Sequence, residues 1–200
     1  MSSDLIRRLQ DSQGNKSLSL RDRVNSLATR GEDNILLLDI SGSMGEEINR
    51  EETKIDALWS IVQRLRSQGL AFKTAVFSGY PEWSDAIVKP IPSGGTALAE
   101  ALEFVASVHP RQITIVTDGQ PNDPQSALEE AAKLQCKINV LFIGSSNEHF
   151  AQEFCRQLAE ANNGTYSATE LATEQLQLSA SQTARLMLTA GGEEKGTIRL

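Results

Sequence analysis

The sequence predicts an α/β domain on an open, doubly wound, mostly parallel central sheet, with one short antiparallel edge strand and helices on both faces. Three observations carry that prediction. Short apolar runs such as "NILLLDI", "QITIV" and "INVLFIG" alternate with amphipathic stretches of helical length, the order of βαβ units. The runs are continuous rather than alternating, which marks strands covered on both faces. The units are too few for a closed eightfold barrel, so the sheet stays open.

Residues 1–33 read as an N-terminal helical extension. Two short helices are split by the polar "DSQGNKS", Ser19 and Asp22 form a capping box that opens "LRDRVNSLATR", and Gly31 closes it. Leu20, Val24 and Leu27 recur at helical spacing, so the extension is expected to lie on the main domain, 34–189. That domain opens with the strand "NILLLDI". The helix "EETKIDALWSIVQRLRSQG" follows, with Ile55, Leu58, Ile61, Val62 and Leu65 on one face, Trp59 in the core and Gly69 as its stop. "AFKTAVFSG" is the second strand. "DAIVKP" reads as a shorter third, close enough to pair antiparallel at an edge, with Tyr80 and Trp83 left at the hairpin tip. Next come the helix "TALAEALEFVASV", the strand "QITIVTDG", the helix "DPQSALEEAAKLQC", the strand "INVLFIG", the helix "EHFAQEFCRQLAEANNG" and a short strand "TYSAT". A helical stretch over 170–188 closes the domain on a thin apolar stripe, because "EQLQLSASQ" is rich in Gln and Ser. The tail, 190–200, stands apart.

Composition removes several function classes. The chain has 200 residues, enough to bury a core without staples, and 19 Lys and Arg against 26 Asp and Glu. An acidic chain is poorly suited to a nonspecific grip on nucleic acid or anionic membranes. No apolar run approaches the ~18 residues of a membrane span, and "MSSDLIRRLQDSQ" lacks an apolar signal core. Cys136 and Cys155 alone point to a reduced, cytoplasmic protein.

On open α/β sheets ligands bind beyond the carboxyl ends of the strands, where strand order reverses. "LLLDISGSM" ends a buried strand on Asp39, Ser41 and Ser43. A turn accounts for such residues; oxygens converging on a cation account for them too. The other strand ends favour the cation. "QITIV" ends in "TDG", delivering Asp118, and the loop "PSGGT" delivers Thr96 where glycines let the backbone pass close. All five residues offer oxygen, and hard oxygen donors of low total charge suit Mg²⁺ or Mn²⁺, with waters completing an octahedron.

These motifs resemble the von Willebrand factor A (VWA) family and its metal-ion-dependent adhesion site (MIDAS): Asp-x-Ser-x-Ser after the first strand, Thr in a Gly-Gly-Thr loop, and Asp in a Thr-Asp-Gly turn. The resemblance covers about 34–188 and implies a Rossmann-like VWA fold. It further implies that Ser41 and Ser43 bind the metal directly and that Asp39 binds through water or orients the site. Thr96 and Asp118 would exchange between direct and water-mediated contact. The open position would take an Asp or Glu of a protein partner. The second acidic pair of some integrins has no match, since Met44 and Gly45 follow Ser43 with Glu46 and Glu47 only nearby, so one metal is expected.

The expected function is therefore a metal-dependent protein–protein interaction module within a larger intracellular complex. Intracellular members of the family work with AAA+ ATPases of the MoxR and magnesium-chelatase kind, which makes such an ATPase or another complex subunit the expected partner. A metal-dependent hydrolase or phosphatase, or a subunit of a structural assembly using the same site, are the alternatives. Against an enzyme, Ser41 stands where haloacid-dehalogenase-like phosphatases carry their second Asp. There is no GxxxxGK[ST] phosphate loop, and "SGSMG" misses the G-x-S-x-G elbow. His109 and His149 read as surface residues rather than bases.

Overall fold

The computed structural model describes residues 34–171 and 173–189. The helices expected over 1–33 and the tail expected over 190–200 lie outside the described residues. Six strands form one sheet: β1 (Asn34–Asp39), β2 (Lys73–Phe77), β3 (Pro81–Ser84), β4 (Gln112–Thr117), β5 (Lys137–Ile143) and β6 (Tyr166–Thr169). Their order is β3-β2-β1-β4-β5-β6, and every pair is parallel except β2–β3. The chain builds outward from β1 in both directions, so strand order reverses between β1 and β4.

Both faces of the sheet are covered, and this is why its central strands carry no polar alternation. Ile35, Leu36, Leu37 and Leu38 of β1 are each fully buried. Leu36, Leu38 and Val116 pack under α1 (Lys54–Ser67) and α5 (Glu174–Thr189). Ile35, Leu37 and Ile115 pack under α2 (Leu98–Ala106), α3 (Pro124–Lys133) and α4 (His149–Ala161). Each such side chain stabilises the fold by about 1.5–3 kcal/mol. Trp59 is core, as expected.

The helix boundaries follow local chemistry. Thr53 and Asp56 form a reciprocal capping box at the start of α1, and Gly69, at φ 72°, ends it in a conformation that favours glycine. Asp123 caps α3, with Pro124 in its first turn. The buried face of α5 is thin, as its composition predicts: Ala180, Ala184, Met187 and Leu188, joined by the polar Gln177 and Ser181. Side-chain amides compensate at its end. Asn34 donates to the Leu188 carbonyl (3.1 Å), Asn139 to the Met187 carbonyl (3.2 Å), and Gln112 also to Met187, which satisfies carbonyls that a helix terminus leaves unpaired.

The antiparallel edge strand exists, but not where the apolar "DAIVKP" suggests. It is Pro81–Ser84, paired so that Trp83 faces Ala75 and Pro81 faces Phe77. Trp83 is thus in the strand rather than at the tip, with its ring on Phe104 at 5.1 Å, while exposed Tyr80 sits in the turn. Two short side chains explain the difference. Ser84 Oγ accepts the Ala86 amide (3.1 Å), Asp85 Oδ1 accepts the Ile87 amide (3.0 Å), and Ala86 adopts φ 55°. Such turns curl the backbone away from the ladder and leave Ile87 and Val88 exposed.

Cys136 and Cys155 are both free thiols. Burial pushes them up to about 11 and about 12, so they are inert packing residues at neutral pH. No described helix is long and apolar enough to cross a membrane.

The capping box gives a direct test. Asp56 accepts from the Thr53 amide and hydroxyl and pairs with Lys89. These bonds, Lys89 first, hold its carboxyl down to about 2 from the ordinary 3.8. Asp56→Ala is expected to cost about 1 kcal/mol in urea unfolding at pH 7. Because the folded pKa is depressed, that difference stays full above pH 4 and shrinks as the pH falls toward 2.

Candidate metal centre

Asp39 ends β1 fully buried, directly beside the end of β4. Its Oδ1 accepts the Ser41 amide at 2.8 Å, and its Oδ2 accepts the Thr117 hydroxyl at 2.6 Å. Burial pushes its pKa up to about 6, and the nearby Asp118 charge adds to this, while the bonds from Thr117 and Ser41 oppose it. After Asp39 the chain enters a 3-10 turn, Gly42–Gly45, anchored by fully buried Met44. The turn brings Ser41 Oγ to 3.1 Å from Ser43 Oγ, and Ser43 Oγ donates to Asp118 Oδ1 at 2.9 Å. Asp39, Ser41, Ser43 and Asp118 are therefore one connected cluster.

Thr96 arrives on the third loop. It is half-buried and makes no direct hydrogen bond to the other four side chains. Backbone contacts hold its loop on the rim: the Gly42 amide donates to the Gly94 carbonyl (3.0 Å), and the Ser93 amide to the Ile40 carbonyl (3.0 Å). Asn122 grips Thr96 itself, accepting the Thr96 amide on Oδ1 and donating its own amide to the Thr96 carbonyl, both at 3.0 Å. The double glycine is required here. Gly94 has φ 74°, and a Cβ on Gly95 would lie 2.8 Å from the Asn122 side chain.

Three participants were not read from the sequence. Thr117 could have been, since its neighbour Asp118 ends the same strand. Asn122 and Lys54 carry no comparable signal. Lys54 Nζ donates to Asp118 Oδ2 at 2.8 Å and to Glu46 at 2.6 Å; its side chain is 13% exposed and that of Asp118 fully buried. Burial pulls the ammonium down, the bonds to Asp118 and Glu46 pull it up, and the net pKa lies above the ordinary value. His109 and His149 are exposed at helix-end positions.

The donor set suits a small hard cation. In an octahedron with metal–oxygen bonds of about 2.0–2.1 Å, adjacent oxygens lie about 2.9 Å apart. The Ser41–Ser43 and Ser43–Asp118 oxygens, held at 3.1 and 2.9 Å by hydrogen bonds to one another, could span two such edges without the loops having to move apart. Among the described residues no group of three His, Cys, Asp or Glu side chains could hold a metal, so any ion here depends on hydroxyls. That disfavours soft and borderline metals.

No family model matches this sequence, and no curated protein matches it. Solved structures do. An aerotolerance-related membrane protein from Bacteroides fragilis superposes with a TM-score of 0.59 at 18% identity, over 78% of this chain and 98% of that one. The SpRpn10 VWA domain gives 0.57 at 13% identity, over 76% and 94%. The manganese-loaded TRAP protein of Plasmodium vivax gives 0.51 at 22% identity, over 70% and 69%. The fold is that of a VWA domain.

In this VWA fold Asp39 supplies a pH-dependent test. Its folded pKa of about 6 lies above the ordinary 3.8, so its contribution to the stability of the metal-free protein is full below pH 4 and is lost as the pH rises through 6. Asn at this position keeps one acceptor for the Ser41 amide and can donate to Thr117. Melting curves in EDTA should therefore show Asp39→Asn gaining on the wild type as the pH rises from 4 to 6. A wild-type advantage that grows with pH would contradict the assignment.

Proposed function

We propose that this chain is a member of the VWA family, with residues 34–189 acting as a metal-dependent protein-interaction module. One Mg²⁺ or Mn²⁺ is held at the rim by Ser41 and Ser43, with Asp39, Thr96 and Asp118 completing the MIDAS-type set directly or through water. The observation that carries this reading is the gathering of Asp39, Ser41, Ser43 and Asp118 into one cluster of oxygen donors at the junction of β1 and β4. The manganese-loaded VWA-fold neighbour supports the choice of ion.

The chain's own residues account for carboxylate binding. Two serine hydroxyls ligate without adding charge, so the cation stays under-neutralised and attracts an anionic ligand. Asp39 orients the Ser41 backbone through the Ser41 amide. Asn122 fixes Thr96 through the backbone, which leaves the Thr96 side chain free of that duty. The ligand is the Asp or Glu of a protein partner, in our reading a subunit of a larger intracellular complex such as an AAA+ ATPase. Two free thiols fit a reducing, cytoplasmic setting. We assign no reaction to the site. Ser41 stands where a phosphatase of the haloacid-dehalogenase kind needs an acid, and neither histidine takes part in the cluster's hydrogen bonds.

Thr96→Ala and Ser41→Ala test this directly. Both should fold, with losses of about 1 kcal/mol or less for Thr96→Ala on its surface loop. Asp118→Ala is a poorer probe, because it strips Lys54 of a buried partner. Calorimetry should show millimolar or tighter Mn²⁺ binding to the wild type, weakened in both variants. Partner capture from the native host should be lost with EDTA and with either variant. Loss of such a desolvated, charge-assisted contact costs about 2–5 kcal/mol, or roughly thirty- to several-thousand-fold. Capture that survives EDTA and both substitutions would refute the module.

A further inference from the structure

Lys54 is an expensive residue in its position. It opens α1, where the helix dipole disfavours a cation, and its side chain is only 13% exposed. The loop before it folds back to put it there: the Lys54 amide donates to the Glu46 carbonyl at 3.0 Å, and Glu47 bridges Thr53. The ammonium then takes Asp118 Oδ2, while Asp118 Oδ1 faces Ser43. The carboxylate is thereby divided, one oxygen toward the proposed metal edge and one toward a fixed positive charge.

We infer that Lys54 is a built-in cation that weakens the rim's hold on the metal ion and strengthens the loaded rim's hold on a carboxylate. The inference rests on reading the rim as a metal site. Charge decides both effects. Asp39, Asp118 and Glu46 are three carboxylates against the one ammonium, and Glu148 and Glu170 line the cavity beside Lys54, so the rim is net negative and the ammonium offsets one unit of that charge. A partner's Asp or Glu then approaches a loaded rim that is one charge less negative than it would be without Lys54. Without Lys54 the empty rim is more negative and attracts the metal more strongly, but the loaded rim is also more negative by one charge and repels the incoming acid more. The ammonium thus sacrifices metal affinity for selectivity toward an anionic partner.

The test uses the full chain with Lys54→Met, Lys54→Gln and Lys54→Arg, each checked for wild-type melting in EDTA. Gln keeps an N–H for Asp118 without the charge, so it serves if Met fails to fold. Arg keeps the charge. Mn²⁺ alone is titrated by calorimetry, and acetate binding to the Mn²⁺-loaded protein is read from broadening of the acetate methyl proton signal. Removing one positive charge a few ångströms from a divalent cation should tighten Mn²⁺ binding about tenfold. The same neutral variants should bind acetate about fivefold more weakly, which is a modest loss for one nearby charge. Lys54→Arg should track the wild type in both arms. Unchanged or weaker Mn²⁺ affinity in the neutral variants, or unchanged acetate affinity, overturns the role of Lys54 while the metal site stands. No Mn²⁺ binding to any of the chains overturns the metal reading and this inference with it.

Discussion

A carboxylate kept out of water at the end of the central strand is what the rim is built around. An ionised Asp39 with no water around it is costly unless its oxygens are bonded, and the fold supplies one donor to each: the Ser41 amide and the Thr117 hydroxyl. The amide is local, two residues along the chain, but the hydroxyl is in reach only because β1 and β4 lie side by side in parallel register, with Leu38 opposite Val116. A slip of one residue would turn Thr117 away and leave one oxygen of the buried carboxylate unpaired. The sheet register and the site are therefore the same constraint seen from two ends.

From that point outward the loops hold one another through hydrogen bonds. Gly42 and Ile40 bind the loop that carries Thr96, and Asn122, just past β4, binds Thr96 itself. Met44 fills the core beneath the serine turn. The expected consequence is a fold that stands without metal, with side-chain oxygens already close to the separations an octahedral ion needs. Such preorganisation reduces the reorganisation that binding must offset.

Much of this was legible in the sequence because the signals are local. Runs such as "NILLLDI" read as doubly covered strands in an alternating pattern, and Asp39, Ser41, Ser43 and Asp118 sit at or just past the ends of two of them. Thr96 was legible through its glycines, which mark a close backbone approach. The edge strand was misplaced because apolarity pointed to Ile87 and Val88, whereas Ser84 and Asp85 hydrogen-bond the backbone out of the ladder and leave those residues exposed. Lys54 was illegible for a different reason. Its pairing with Asp118, 64 positions away, depends on how the loop over 46–53 folds back, and no spacing rule encodes that.

The measurement that bears most directly on this account is anomalous diffraction at the manganese edge, from crystals of the full chain grown with Mn²⁺. A single peak is expected at the β1–β4 junction, within bonding distance of both Ser41 Oγ and Ser43 Oγ, with Asp39 still bonded to Thr117. A rim without density, or a peak held by other residues while these oxygens stay bonded to one another, would contradict it.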